Sequence, residues 1–495
     1  MNIRIILLLI FLVKNLSAQT FIPSNQRIGD TTINYVNPEF SPTGNYILWA
    51  EVDTNNGFTC KIWQCGIDPN TGDLIPSNGK GYNPFNANIY TRPADWGIDS
   101  IGPYYVGSTA LGQIKFVRPT SPTSATVTNV TAPLNNKRRV FYPSQLPGIN
   151  KRFVIYVLND SINGFSSNTP QNSYYQLRLM DLDNPNNDYL IEQQNSAYPL
   201  PVPMDVIVPR WIKGSHYLTF GSADANNNVQ AKEFNAFSPL SPPVFVTNDA
   251  NNKIDGYPVL NPFSNQQYFM SGINATDSAY FFKRSGFGQI FIKNEVIKPT
   301  SINLQNPALN QSHEPFLFNG ELYSAFQINN DGGNFFNTTL NQPGEIWMTT
   351  IDQNPQQMWL LSEFDSTLNI SEPEPYIGNN KVWVYYSAVK IQPNVPLLKR
   401  QFQLRRCETP FNVTSIINEN IENNYFKIFP NPVATELNII SDINEFDVRI
   451  FDSMGRLILK CNNIHKINVD SLSSGIYMMQ AFFNSKSLIY KFIKN

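Results

Sequence analysis

Four cysteines and three histidines serve a chain of 495 residues, and that scarcity excludes a good deal. No CxxC spacing occurs, and His216, His313 and His465 are far apart in sequence, so a structural zinc site has no ligand set. Charge is scarce as well: 15% of residues are Asp, Glu, Lys or Arg, the net charge is -2, and neither sign forms a long block. A nucleic-acid footprint needs clustered basic residues. Lys137-Arg138-Arg139 and Lys151-Arg152 come nearest, and they read as a solvated loop and a strand end. Beyond the N-terminus no run approaches eighteen apolar residues, so the mature chain is expected to carry no transmembrane helix. No segment of more than a dozen residues keeps a capped 3.6-residue period, which excludes a helical body. GxSxG, HExxH and the P-loop are all missing, which removes the common signatures of serine hydrolases, zinc peptidases and nucleotide enzymes.

Turn formers and aromatics fill the space: 36 prolines, 13% aromatics, and polarity supplied by Asn, Ser, Thr and Gln. That profile fits a β-rich secreted protein of two or three domains. The N-terminus agrees with export. Arg4 precedes an apolar run from Ile5 to Val13, and Leu16-Ser17-Ala18 offers a small-residue cleavage site before Gln19, so residues 1–18 read as a signal peptide. Cys60 and Cys65 are five apart on a strand and face opposite ways. A disulfide from Cys407 to Cys60 or Cys65 is expected only if the chain closes a ring there.

Between Asn34 and Glu408 one pattern recurs seven times. A proline next to an apolar or aromatic residue opens each unit, a turn follows, and a hydrophobic strand comes about eight to twelve residues later. The prolines are Pro38, Pro93, Pro143, Pro209, Pro258, Pro315 and Pro375, which subtraction of their numbers places 49 to 66 residues apart. That length holds four short strands and their loops, the size of one propeller blade. Period-two alternation in YQLRLMDL and EIWMTTI marks strands with one face in a core. The first unit, NPEFSPTGNYILWAEVD, resembles the PxFSPDGxxIxF repeat of TolB-like propellers, with Thr43 where that pattern prefers Asp. The other six keep the rhythm and little else. An all-β propeller over residues 19–408 follows, with seven blades favoured over six or eight.

A polar linker, residues 409–421, leads to a second all-β unit, residues 422–495. Its period-two strands and short turns argue a small β-sandwich. It carries Phe429-Pro430-Asn431-Pro432, a hairpin around Gly455, Gly475 and Tyr477 in SSGIYMMQ, and a terminal KFIKN with Lys491 and Lys494. In order and spacing these resemble the type A C-terminal sorting domain of the type IX secretion system of Bacteroidota-type bacteria. The resemblance implies recognition by the secretion machinery, with the FPNP opening the first strand and the last five residues forming a recognition tail. It further implies export across both membranes, with the protein secreted or held at the cell surface.

Catalytic candidates come from residues beside the unit-opening prolines: Arg92, Asp95, Arg210, Asp255, His313, Glu314, Glu372 and Glu374. Two carboxyls about 5–10 Å apart could serve glycoside hydrolysis, and His313-Glu314 sets a base beside an acid. Capping and rim ion pairs account for the same residues. Oxygen-rich loops at Asp181, Asp183 and Asp188, at Asp224 to Asn228, and at Asn329 and Asp331 could take calcium but equally form ordinary turns. Otherwise no cofactor or metal is implied. Trp96, Trp211 and Tyr257 could stack on a sugar or peptide, or pack between blades. The sequence therefore favours an exported propeller binding a protein, peptide or glycan, with a secreted polysaccharide hydrolase and an envelope scaffold as the alternatives.

Overall fold

The structure is a computed structural model. It describes residues 23–52, 59–88, 94–146, 151–161, 164, 174–195, 207–262, 264–273, 279–297, 299, 301, 303–305, 307–330, 341–353, 356–379, 381–395, 399–412, 426–441, 446–452, 457–462, 464–483 and 486–495. The proposed signal peptide lies outside them.

Each of the first six proline units becomes one antiparallel sheet of four main strands, laid down in sequence order, and the seventh unit supplies three strands of a seventh sheet. The first strands of the seven sheets are Tyr35–Phe40, Ala94–Ile98, Arg138–Gln145, Arg210–Trp211, Lys253–Leu260, Pro307–Phe318 and Leu368–Ile377. Five carry the repeating proline within them, and Pro209 immediately precedes a sixth; Pro93 lies outside the described residues. The position suits proline because the first strand is a sheet edge, where a missing N–H breaks no second ladder.

Seven hydrophobic cores join these sheets in a cycle. Sheets 1 and 2 share Leu48, Ile62, Trp96 and Tyr105. Sheets 2 and 3 share Tyr104, Val106, Val154 and Tyr156, and sheets 3 and 4 share Ile155, Leu177, Leu218 and Phe220. Ala231 and Phe269 belong to the core between sheets 4 and 5, Met270 and Phe326 to that between 5 and 6, and Met348 and Val384 to that between 6 and 7. The last core returns to the start, packing Tyr376, Trp383 and Tyr385 of sheet 7 against Ile47, Trp49 and Cys65 of sheet 1. A cycle of seven face-to-face sheets is a seven-bladed β-propeller.

The ring is fastened where its ends meet. Blade 7 takes its fourth strand from the N-terminal side, Gln26–Ile28, which pairs with Phe402–Glu408. Across the seam the Tyr376 hydroxyl donates to Gly44 O at 3.0 Å, and Arg406 donates to Thr71 O at 2.6 Å. The four thiols are unpaired. A Cys407 disulfide does not form, because Cys60, Cys65 and Cys407 occupy three different inter-blade cores.

The C-terminal unit has two sheets. One contains Phe426–Phe429, Glu436–Ser441 and Lys466–Asn468; the other contains Leu457–Asn462, Asp447–Asp452, Gly475–Phe483 and Lys486–Lys494. Val433, Leu437, Val448, Ile450, Met479 and Phe492 form its core, each fully buried. It is a β-sandwich of short strands.

Candidate functional site

The inner strands are irregular at one recurring place. In blades 1, 3, 5, 6 and 7 the ladder to the second strand skips two residues, as between Val36 and Glu39, Gln311 and Glu314, and Ser371 and Glu374. Such bulges turn a strand and re-aim its side chains. Three of them hold a non-glycine residue in the left-handed region: Asn37 (φ 50°), Ser312 (φ 58°) and Glu372 (φ 56°). A conformation of that kind costs on the order of 1–3 kcal/mol and persists only where its surroundings hold it. Glu372 shows how. Its backbone N–H donates to Gln327 Oε1 at 2.8 Å, and the Asn37 amide, turned with its nitrogen toward the carboxylate, lies 2.7 Å from both oxygens.

Blades 3 to 6 meet through Arg210. Its guanidinium is 3.6 Å from the Tyr257 ring centre and 4.8 Å from that of Tyr142, and it pairs with Glu314 at 3.1 Å. Blades 4 and 6 are not neighbours, so this ion pair has to reach past blade 5 along the inner edge of the ring. Both partners are largely shielded, with 11% and 17% of their side chains exposed, which strengthens the charge interaction over a surface pair.

The remaining candidates separate. His313 is adjacent to Glu314 but buried, its ring 6.2 Å from Tyr257 and 5.6 Å from Phe326. Burial lowers its pKa to about 4, so it is neutral at physiological pH. Asp95 is buried and accepts the Trp96 N–H at 3.1 Å. Glu374 and Glu39 are half-buried at corresponding places, each where its ladder resumes after a bulge. Arg92 and the side chain of Asp255 lie outside the described residues. Glu39 and Tyr142 were not singled out from the sequence, although Glu39 recurs in register with Glu314 and Glu374. Two of the aromatics use their indole N–H groups between blades: Trp96 donates to Glu39 O and Trp211 to Tyr142 O, both at 2.8 Å. The third, Tyr257, lies in the core between blades 5 and 6.

Two of the oxygen-rich loops close on themselves. Asp181 Oδ1 accepts the N–H groups of Asp183 and Asn184, and Asp224 Oδ1 accepts those of Asn226 and Asn228, as turn-capping carboxylates do. The third loop runs into residues 331–340, outside the described ones. Among the described residues no group of three or more His, Cys, Asp and Glu is placed to hold a metal ion. The basic clusters are locally engaged: Arg138 donates to Gly112 O, and Arg152 pairs with Asp183 and Asp99.

In the C-terminal sandwich, FPNP does not open the first strand but ends it. Phe426–Phe429 stops there, and Pro430 to Pro432 turn toward the last strand, because a proline pair cannot continue a hydrogen-bonded ladder. Asn431 Oδ1 accepts the Ile493 N–H at 2.9 Å. Val433 N–H donates to Ile493 O at 2.7 Å, and Asn495 N–H donates to Val433 O at 2.9 Å. Gly475 opens its strand. Tyr477 is buried, stacks on Phe492 at 5.5 Å and donates to Ser473 O. Lys494 is buried with Nζ 2.6 Å from Asn495 O. Gly455 and the Lys491 side chain lie outside the described residues.

Residues 427–495 match the family described as secretion system C-terminal sorting domain. They form a type IX sorting domain, and the protein is exported across the envelope to be secreted or attached to the cell surface. No curated protein matches the chain. Among solved structures, an oligogalacturonate lyase in complex with manganese is 10% identical with a TM-score of 0.43, the match covering 78% of this chain and 90% of that one. A puromycin-hydrolyzing peptidase of Mycobacterium tuberculosis is 9% identical with a TM-score of 0.43, covering 77% of this chain and 57% of the peptidase. Prolyl oligopeptidase B from Galerina marginata is 11% identical with a TM-score of 0.39, covering 72% and 47%. The chain thus spans about half the length of those two peptidases. Among the described residues no helix is long and apolar enough to cross a membrane.

Proposed function

We propose that the exported propeller is a binding module that takes a protein, peptide or glycan partner at the mouth of its central channel. The Arg210–Glu314 pair, stacked against Tyr142 and Tyr257, carries this reading. It ties four consecutive blades into one rigid, charge-balanced rim, and a rigid rim loses little entropy on binding. Half-buried Glu39 and Glu374 would supply hydrogen-bond acceptors for hydroxyl or amino groups of the partner.

The same observation weighs against the hydrolase alternative. Glycoside cleavage needs one carboxyl that exchanges a proton and another that attacks or activates water. Glu314 is engaged by a guanidinium and Glu372 by the Asn37 amide. An envelope scaffold is the case in which the partner is another surface protein.

Glycan and peptide arrays probed with the mature chain test this, alongside the Glu39→Gln/Glu374→Gln double variant. At least a tenfold loss of binding at an unchanged melting temperature is expected. Undiminished binding by the variant would count against the channel mouth. Release of reducing sugar ends from a polysaccharide would replace the binding reading with the hydrolase.

A further inference from the structure

We propose that the export signal is a composite surface, the FPNP turn clasped onto the last strand, and that Asn431 is the residue positioning it. The partner is the type IX secretion machinery, because both halves of the clasp lie inside the matched sorting domain.

Three hydrogen bonds make the clasp. Ile493 uses its N–H on Asn431 Oδ1 and its carbonyl on the Val433 N–H, while Val433 O receives Asn495 N–H. The Asn431 side chain therefore substitutes for a strand carbonyl beside Val433, which forms a parallel bridge with Lys494. The strand so capped, Lys486–Lys494, is the outer strand of its sheet. An open strand edge recruits any passing strand. At Ile493 both outward backbone groups are already used, so recognition there has to read side chains on a fixed end. Among those on offer are apolar ones: Phe429, Ile476, Met478 and Ile493 are between 37% and 46% exposed. Ile476 and Ile493 are direct cross-strand partners. Val433, by contrast, is fully buried and ties the turn into the sandwich core. A tail read as a flexible peptide would need none of this.

Asn431 is exposed, so its truncation leaves the core packing intact. The full chain carrying Asn431→Ala, and separately Asn431→Asp, would be followed by fractionation into periplasm, cell surface and medium. Hydrogen exchange at the Ile493 amide would be measured on the same purified proteins. The expected result for Asn431→Ala is at least a tenfold fall in exported protein and a rapidly exchanging Ile493 amide, with Val448 and Met479 still protected. Aspartate keeps an acceptor oxygen in place, so both export and protection should return to within about threefold of the parent. Export of Asn431→Ala at the parental level overturns the proposal, and so does lost export with Ile493 still protected. A rapidly exchanging Ile493 amide in the unaltered chain overturns it without any variant.

Discussion

Asn431 and Ile493 in the C-terminal sandwich, and Arg210 and Glu314 in the propeller, are both polar pairs between residues distant in sequence. The first joins two segments that the sequence already marks, FPNP and KFIKN. The second joins residues whose only shared mark is a place beside a repeating proline. The sorting signal lies within one small fold, where the segments that meet come from one short stretch of chain. A propeller spreads its inner surface over seven separate strands, and no local motif records what faces what.

The comparison can be broken first in the core. Glu233 and Arg284 form a buried pair between blades 4 and 5, each side chain 1% exposed, with Glu233 also accepting the Gly288 N–H. Glu233→Ala strands a buried guanidinium and should cost about 3–5 kcal/mol in urea unfolding. The loss should appear in the propeller transition and leave the sandwich transition in place. Tyr477→Ala is the converse case. Removing a buried ring stacked on Phe492 should cost about 3 kcal/mol, seen in the sandwich transition and in export while the propeller melts as before.

A pH series sharpens the difference further. His313 has a folded pKa of about 4 against an ordinary value of 6.5. The unfolded chain therefore binds the proton first, and the stability due to neutral burial is present above pH 6.5 and fades as pH falls toward 4. Between pH 7 and 5 this group should account for about 2 kcal/mol. The pH dependence of the His313→Phe variant, measured by denaturant unfolding, should be flatter by that amount. Arg210→Met is of similar size. It leaves the largely shielded Glu314 carboxylate without its guanidinium, so about 2 kcal/mol is expected, with partner binding affected more than stability.

Much of the fold was legible. Seven prolines matched seven blades: five lie within an edge strand and Pro209 immediately before another, where a missing N–H is tolerated. The sandwich was legible from period-two strands and its turn residues. The bulges were not, since a two-residue skip leaves no trace in apolar alternation. Nor could the sequence show that Asn37 would face Glu372, because those residues belong to blades 1 and 7 and meet only when the ring closes. His313-Glu314 looked like an acid and base side by side. Neighbours at a bulge part company, one into aromatic packing and the other into an ion pair across the ring.

The central division, a folded passenger and a separable address, is tested most directly by ending the chain at Ile421 and locating the product. The account expects the protein to accumulate in the periplasm with its propeller transition within a few degrees of the parent. Export of the shortened chain at the parental level, or a propeller that no longer folds without the sandwich, would contradict it.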